Sequence, residues 1–190
     1  LVMNVSNKTL RHTISALVAD KPGVLARIAG LFSRRGFNIS NLSVGRSESD
    51  GLSRMTFVVE GDEWVVEQVT KQLYKLIDVI RVSDLSEDSI VVRELAFIKV
   101  KSDSSTSAEI IEIAESFRAN IVDIGKDSLI IEVTGDDGRV DALLDSLKSF
   151  GVRETMRTGR IAMTRGSATT GMKKIPNIAD HSAPDAEVVP

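Results

Sequence analysis

The sequence predicts an α+β protein that contains two consecutive βαββαβ units. Short segments in which apolar and polar residues alternate indicate strands, and longer segments with an apolar stripe at i, i+4 and i+7 indicate helices. The order of these elements in the first half of the chain recurs in the second half. Four strands and two helices in this order are typical of the split-βαβ, or ferredoxin-like, arrangement.

The first unit carries a recognisable signal at each element. Ile14, Ala16 and Val18 share one face of the first strand, so we expect that face to be buried. Gly36 supplies a left-handed stop for the first helix, and Asp50-Gly51 predicts a hairpin. The predicted elements are strand Leu10–Val18, helix Val24–Arg35, strand Phe37–Arg46 with a bulge near Ser40-Asn41, strand Leu52–Glu60, a helix capped by Asp62 that buries Val65, Val69, Leu73 and Leu76, and strand Asp78–Leu85.

The second unit follows a polar, acidic segment that we interpret as a linker. Thr106 and Glu109 have the spacing of a capping box at the start of its first helix. The predicted elements are strand Leu95–Lys101, a helix that buries Ile110, Ile113, Ala114 and Phe117, strands Asn120–Ile124 and Ser128–Thr134, a helix that buries Val140, Leu143, Leu144 and Leu147, and strand Val152–Met163. The domain prediction is 9–85, a linker at 86–92, 93–166, and a disordered tail at 167–190 that lacks periodicity.

The two units can be aligned through their first helices. Placing Phe117 opposite Phe32 gives an offset of 85 residues (117 − 32). In this register Gly23 faces Ala108 and Asn38 faces Asp123. The second unit is therefore predicted to keep the architecture of the first and to lose its glycine loop.

Composition excludes several classes of function. The 190 residues carry a formal net charge of −3, so the chain has no overall attraction to nucleic acid. No cysteine is present and the only histidines are His12 and His181, which leaves no cysteine or histidine-cluster metal site. No apolar run approaches the length of about 20 residues that spans a bilayer, and we expect a cytoplasmic protein. We predict no catalytic residues and no bound metal or cofactor.

The loop before the first helix is the strongest candidate for a binding site. Gly23 leaves room for an anion to approach the N–H groups of the first helical turn, where the helix dipole favours negative charge. Lys21 and Pro22 complete the loop, and Pro22 stiffens it. Asp20, three residues before the glycine, offers a carboxylate to an ammonium group. The purely structural alternative is that Asp20 only closes the turn or caps the helix and that Gly23 only relieves crowding.

A second set of residues completes the predicted pocket. Asn38 carries a donor and an acceptor on one amide, which suits a zwitterion, although it could equally hold the predicted bulge. The apolar wall of the pocket is formed by Val24, Leu25 and Ile39. Together these residues predict a site for a small apolar amino acid.

Four segments resemble one known family. Residues 20–39 read DKPGVLARIAGLFSRRGFNI, and this segment closely resembles the ACT domain of the acetohydroxyacid (acetolactate) synthase small subunit. Leu52–Thr56, Lys71–Val79 and Arg93–Leu95 are similar to further signatures of that family. The resemblance covers about residues 9–166, and it identifies the two units as an ACT domain followed by an ACT-like domain.

The resemblance implies a regulatory subunit without an active site of its own. Its partner would be the catalytic large subunit, which uses thiamine diphosphate, Mg and FAD in branched-chain amino acid biosynthesis. The small subunit of that family activates the enzyme and confers feedback inhibition by valine, leucine or isoleucine. It forms a homodimer through its ACT domains, so that Asp20 and Gly23 would come from one protomer and Asn38 from the other.

Two alternatives of other classes stay open at this point. A free-standing tandem-ACT sensor would control transcription or another enzyme, and it would not co-purify with a synthase. An RNA-binding ferredoxin-like protein would stack bases on strand aromatics, but aromatic residues make up only 4% of this chain.

Overall fold

The computed structural model describes residues 11–167 and 169–170 and places them in two antiparallel sheets. The elements are β1 (Arg11–Ala19), α1 (Val24–Arg35), β2 (Ile39–Arg46), β3 (Leu52–Glu60), α2 (Glu63–Leu73), β4 (Val79–Asp84), β5 (Ile90–Lys101), α3 (Ser107–Ser116), β6 (Asn120–Ile124), β7 (Ser128–Gly135), α4 (Asp137–Leu147), β8 (Val152–Arg157) and β9 (Ile161–Thr164). The first sheet has the order β2-β3-β1-β4 and the second the order β6-β7-β5-β8, with β9 paired to the start of β5. The predicted fold class is confirmed.

The N-terminal unit is built around an apolar layer between its sheet and its helices. Ile14 and Phe57 lie opposite each other in the β1–β3 register and are fully buried. Phe32 of α1 stacks on Phe57 with 5.4 Å between the ring centroids. The predicted α1 stripe of Val24, Ile28, Leu31 and Phe32 is buried as a whole. This packing fixes α1 so that Gly23 lies at one of its ends and Gly36 at the other.

The opposite face of the first sheet differs from the expectation of a single buried face. Thr13 and Ser15 of β1, which point away from the helices, are only 3% and 2% exposed. The guanidinium of Arg160, from the C-terminal unit, reaches the Thr13 hydroxyl at 3.1 Å. The second unit therefore lies against this face, and the alternation of β1 did not reveal that its polar residues are buried as well.

Two helix predictions need correction. Asp62 caps α2 as predicted, accepting a hydrogen bond from the N–H of Val65 at 3.0 Å. However, α2 ends at Leu73, so the expected stripe residue Leu76 lies in the following turn, and Val66 is buried more deeply than Val65. The capping box in α3 is wrong, because Thr106 makes no side-chain cap bond to the helix.

The strands of the C-terminal unit also depart from the predicted boundaries. β5 begins at Ile90 rather than Leu95, so the last three residues of the expected 86–92 linker belong to a strand. The predicted final strand is broken into β8 and β9 at Thr158-Gly159-Arg160. Gly159 adopts φ +77, which an extended strand does not accommodate. β9 then pairs with residues 90–93 of β5 as a separate two-stranded ribbon.

The repeat offset of 85 residues is also wrong. The β-bulge lies between Ile39 and Asn41 in the first unit and between Ile121 and Asp123 in the second, which gives an offset of 82 (121 − 39). The left-handed residues that end α1 and α3, Gly36 and Arg118, have the same offset (118 − 36). In the corrected register Gly23 faces Ser105 and Asn38 faces Asn120. The second unit thus loses the glycine but keeps an asparagine.

Two of the predictions fall partly outside the described residues. The strand start at Leu10 lies there, as does most of the predicted 167–190 tail. Within the part of the chain that the structure describes, no helix is long and apolar enough to cross a membrane.

Candidate functional site

The glycine loop opens α1 without a side-chain cap. Gly23 occupies the N-cap position with φ +86, a left-handed conformation that glycine adopts readily. Within this turn the Val24 N–H donates to the Lys21 carbonyl at 3.3 Å, and the Arg27 N–H donates to the Gly23 carbonyl at 3.0 Å. Gly23 is exposed, so the amino end of α1 presents its positive dipole to solvent.

Backbone hydrogen bonds hold this loop to the rest of the N-terminal unit. The N–H of Asp20 donates to the carbonyl of Gly51 in the β2–β3 hairpin at 2.8 Å. Ala19 N–H donates to the Asp78 carbonyl, also at 2.8 Å. The Asp20 carboxylate does not cap α1, since the N-cap position belongs to Gly23. Lys21 and Pro22 are exposed beside it.

Arg27 is a component of the loop that the sequence analysis missed. Its Nε and Nη2 donate to one carboxylate oxygen of Asp78, at 3.0 and 2.6 Å. Its Nη1 lies 3.3 Å from the point where a Cβ on Gly23 would stand. Arg27 is four residues after Gly23, one helical turn away, and this spacing could have identified it. The loop therefore carries a fixed cation as well as a helix N-terminus.

The other predicted site residues lie in different environments. Asn38 is exposed and donates from Nδ2 to Glu60 at 3.3 Å, while Ile39 packs partly into the core. Val24 is 4% exposed and faces the core, so it offers a ligand its backbone rather than its side chain. Leu25 is 48% exposed next to the glycine.

One chain does not bring the two halves of the predicted pocket together. Asn38 follows the carboxyl end of α1, and Gly23 stands at its amino end. The 12 residues of α1 span about 18 Å at about 1.5 Å per residue. A small amino acid held by Gly23 therefore does not reach Asn38 of the same chain.

The second unit fills its corresponding loop with a side chain. In the corrected register Asp103 stands opposite Lys21, and its carboxylate accepts from the N–H groups of Ser105 and Thr106 at 2.9 and 3.1 Å. The counterparts of these donors are the N–H groups of Gly23 and Val24. The Ser105 hydroxyl and then its N–H lower the pKa of Asp103 to about 2. A carboxylate is thus the natural acceptor for this turn, and the first unit does not provide one from its own sequence.

Asp103 leads to a prediction about acid stability. Because its folded pKa of about 2 lies below the ordinary 3.8, the carboxylate stabilises the turn above about pH 4, and this contribution is lost as the pH falls through about 2. We expect the protection of the Ser105 and Thr106 amides, taken relative to the intrinsic exchange rate at each pH, to persist at pH 3 and to fall near pH 2. The Asp103→Asn variant should exchange faster at pH 5 and lack the acid transition. Loss of protection in the native chain near pH 4 would contradict the assignment.

The described residues contain no cluster of three or more His, Asp or Glu side chains that could hold a metal ion. His12 is buried and its Nδ1 lies 3.1 Å from the Ser86 hydroxyl. This is a structural contact between β1 and the segment after β4. The glycine loop combines an exposed helix N-terminus with the nearby Arg27 guanidinium.

Comparison with known proteins gives matches over both units. Residues 14–81 match the family model of the AHAS small subunit-like ACT domain, and residues 93–166 match the model of the small subunit of acetolactate synthase. A protein of Archaeoglobus fulgidus named "Probable acetolactate synthase small subunit" is 56% identical over 158 residues, which are 83% of this chain and 99% of the relative. The acetolactate synthase small subunit of Mycolicibacterium smegmatis is 49% identical over 170 residues, 90% of this chain and 100% of the relative.

A solved structure is similar along the same length. The crystal structure of the acetolactate synthase small subunit from Thermotoga maritima has a TM-score of 0.78 and 44% sequence identity, and the match covers 84% of this chain and 99% of that one. This chain therefore matches the relatives in sequence, and the solved structure in fold, over both units and over nearly the whole length of each relative. The chain belongs to the acetolactate synthase small-subunit family.

Proposed function

We propose that this chain activates an acetolactate synthase catalytic subunit and subjects it to feedback inhibition by a branched-chain amino acid, with valine as the first candidate. The observation that carries the proposal is the contrast between the two loops. Asp103 supplies a carboxylate to the second loop. The first loop has an exposed glycine and no side-chain cap at the corresponding positions, where the Val24 N–H donates only to the Lys21 carbonyl, at 3.3 Å. An effector carboxylate completes the first loop in the way that Asp103 completes the second.

The loop chemistry favours a small aliphatic amino acid. The helix dipole and the Arg27 guanidinium both attract a carboxylate to Gly23. Asp20 is exposed at the start of the loop and offers a carboxylate to the ammonium group, and the exposed Leu25 side chain offers apolar contact. A zwitterion with a branched apolar side chain has the carboxylate, the ammonium group and the apolar surface that these contacts require.

A second protomer supplies Asn38 in this proposal. The separation of Gly23 from Asn38 along α1 supports it, because one chain leaves each half of the pocket incomplete. β2 also lies at the edge of the first sheet, where its exposed Val44 is available for contact with a copy of the chain. A ligand shared between protomers favours one relative orientation of the pair, and the catalytic subunit responds to that orientation.

In this proposal the partner subunit catalyses the reaction. The catalytic subunit holds thiamine diphosphate, Mg and FAD and forms acetolactate, and this chain contributes no cofactor. The names of the relatives support the assignment, since a small subunit implies a large one.

Reconstitution tests the proposed function. Adding the full chain to purified catalytic subunit should raise acetolactate formation and make this activity sensitive to valine. We expect the apparent affinity of the enzyme for valine to rise by a factor in the usual allosteric range, about 5- to 150-fold. Calorimetry with valine, leucine and isoleucine, using norvaline as an unbranched control, ranks the effectors. Binding of an amino acid without any change in synthase activity would instead support a free-standing sensor. No binding and no activation would reject both functions.

A further inference from the structure

The turn between β8 and β9 contacts Asn41 on β2, the edge strand of the first sheet. Arg160 N–H donates to Oδ1 of Asn41 at 3.1 Å. A Cβ built on Gly159 would stand 2.4 Å from Nδ2 of Asn41, and Gly159 has φ +77. The amide of Asn41 therefore packs directly on the Gly159 backbone, and only glycine allows this approach.

Arg160 extends the contact to two further elements. Its Nη1 donates to the Thr13 hydroxyl on β1 at 3.1 Å, and its Nη2 lies 3.1 Å from Asp137 in the first turn of α4. Arg11 of β1 also reaches Asp137, at 3.3 Å. The Arg160 and Asp137 side chains are only 19% and 20% exposed, so solvent screens this ion pair less than it screens a surface pair.

The same turn is anchored firmly to the second unit. Thr158 N–H donates to the Leu95 carbonyl at 3.0 Å, and Leu95 N–H donates to the Thr158 hydroxyl at 3.1 Å. Arg157, the preceding residue, pairs with the buried carboxylate of Glu94. A displacement of Gly159 and Arg160 is therefore passed to β5.

Asn41 is placed close to the proposed effector contact. It is three residues after Asn38 and directly follows the β-bulge that lies between Ile39 and Asn41 in the β2–β3 register. Bulges interrupt the ladder of hydrogen bonds, so the backbone there yields more easily than a regular strand. A ligand that moves Asn38 moves Asn41 and hence the turn that packs on it.

We infer that the 158–160 turn transmits effector binding from the first unit to the second through Asn41. This inference rests on the proposed function, because it concerns how occupancy of that site is communicated. It assigns to Asn41, Gly159 and Arg160 a role in inhibition and no role in holding the amino acid.

The Asn41→Ala variant separates transmission from binding. Calorimetry on the full chain measures the valine Kd, and the reconstituted enzyme measures the concentration of valine that half-inhibits acetolactate formation. We expect the valine Kd of the variant to stay within about twofold of the wild-type value, and the half-inhibitory concentration to rise at least about tenfold above it. Wild-type chain that neither binds valine nor responds to it would reject the proposed function. If valine inhibits the wild-type and the Asn41→Ala enzymes equally, only the inference is rejected. Loss of valine binding in Asn41→Ala would also reject only the inference.

Gly159→Ala provides a second test with a matched control. Gly166 has φ +78, and a Cβ added there would meet no atom within 4 Å, so Gly166→Ala reproduces the backbone strain without the contact. We expect Gly159→Ala to weaken inhibition as Asn41→Ala does, and Gly166→Ala to leave inhibition unchanged. Equal effects of the two glycine variants would show that strain alone is responsible and would overturn the role of the contact.

Discussion

Gly23→Asp is expected to abolish inhibition by valine while leaving activation of the catalytic subunit intact. The new carboxylate stands at the loop N–H groups and next to Nη1 of Arg27, 3.3 Å from the Cβ position, where we place the effector carboxylate. Like charges in one site exclude each other, and the aspartate can satisfy the turn internally as Asp103 does. We expect valine affinity to fall by at least about 100-fold, at the upper end of the usual allosteric coupling range.

Gly166→Asp is the control for this substitution. It adds the same charge at φ +78, in open space away from the loop, and should leave the valine response unchanged. Both variants should unfold within about 1 kcal/mol of each other, because aspartate tolerates the left-handed region better than most residues. Valine sensitivity that persists in Gly23→Asp would remove Gly23 from the effector site.

Glu94→Ala is expected to cause the largest loss of stability among the charged residues of the C-terminal unit. The Glu94 side chain is 3% exposed and accepts from Arg157, and this hydrogen bond is the main reason that the pKa of the Arg157 guanidinium is raised. Removing Glu94 takes away the buried partner of Arg157 and leaves the guanidinium only the exposed carboxylate of Asp141. We expect a loss of about 3 kcal/mol in the free energy of unfolding, measured by urea denaturation.

Asp141→Ala tests whether the burial of Glu94 is responsible for the expected loss of stability. Asp141 binds the same arginine at 2.7 Å, but its side chain is 59% exposed. An exposed ion pair contributes about 0.5 kcal/mol, so this variant should unfold close to the native midpoint. Equal losses from the two substitutions would contradict the explanation by burial.

Local patterns were sufficient to predict most of the N-terminal unit. The bounds of α1 and β3 agree with the prediction, since apolar stripes, the Gly36 stop and the Asp50-Gly51 hairpin are all encoded within a few residues. The bulge near Ser40-Asn41 was visible as a slip in alternation. The four features share one property, which is that each depends on neighbours in the chain.

Apart from the stripe of α2 and the capping box of α3, which are local errors, the wrong predictions involve contacts between residues that are far apart in the chain, or backbone conformations that are unusual for the residue type. The repeat alignment was misled by the likeness of Phe32 and Phe117, whereas the true register is marked by Arg118 at φ +48, and an arginine is an uncommon left-handed residue. Asn41 and Gly159 are 118 residues apart (159 − 41), so no periodicity connects them. Gly159 inside an alternating segment was a usable sign of a break, because glycine weakens a strand interior.

β5 is one continuous strand that begins inside the segment interpreted from the sequence as the 86–92 linker. The strand runs without interruption from the ribbon pair with β9 at Ile90 to the end of the second sheet at Lys101. Its 12 residues measure about 40 Å at about 3.3 Å per residue. A tilt of about 5° at the ribbon then displaces the far end by about 3.5 Å, as follows from that length. In the inferred transmission, β5 would carry a small tilt at the first sheet to the far end of the second sheet as a larger displacement, which a loose linker would absorb.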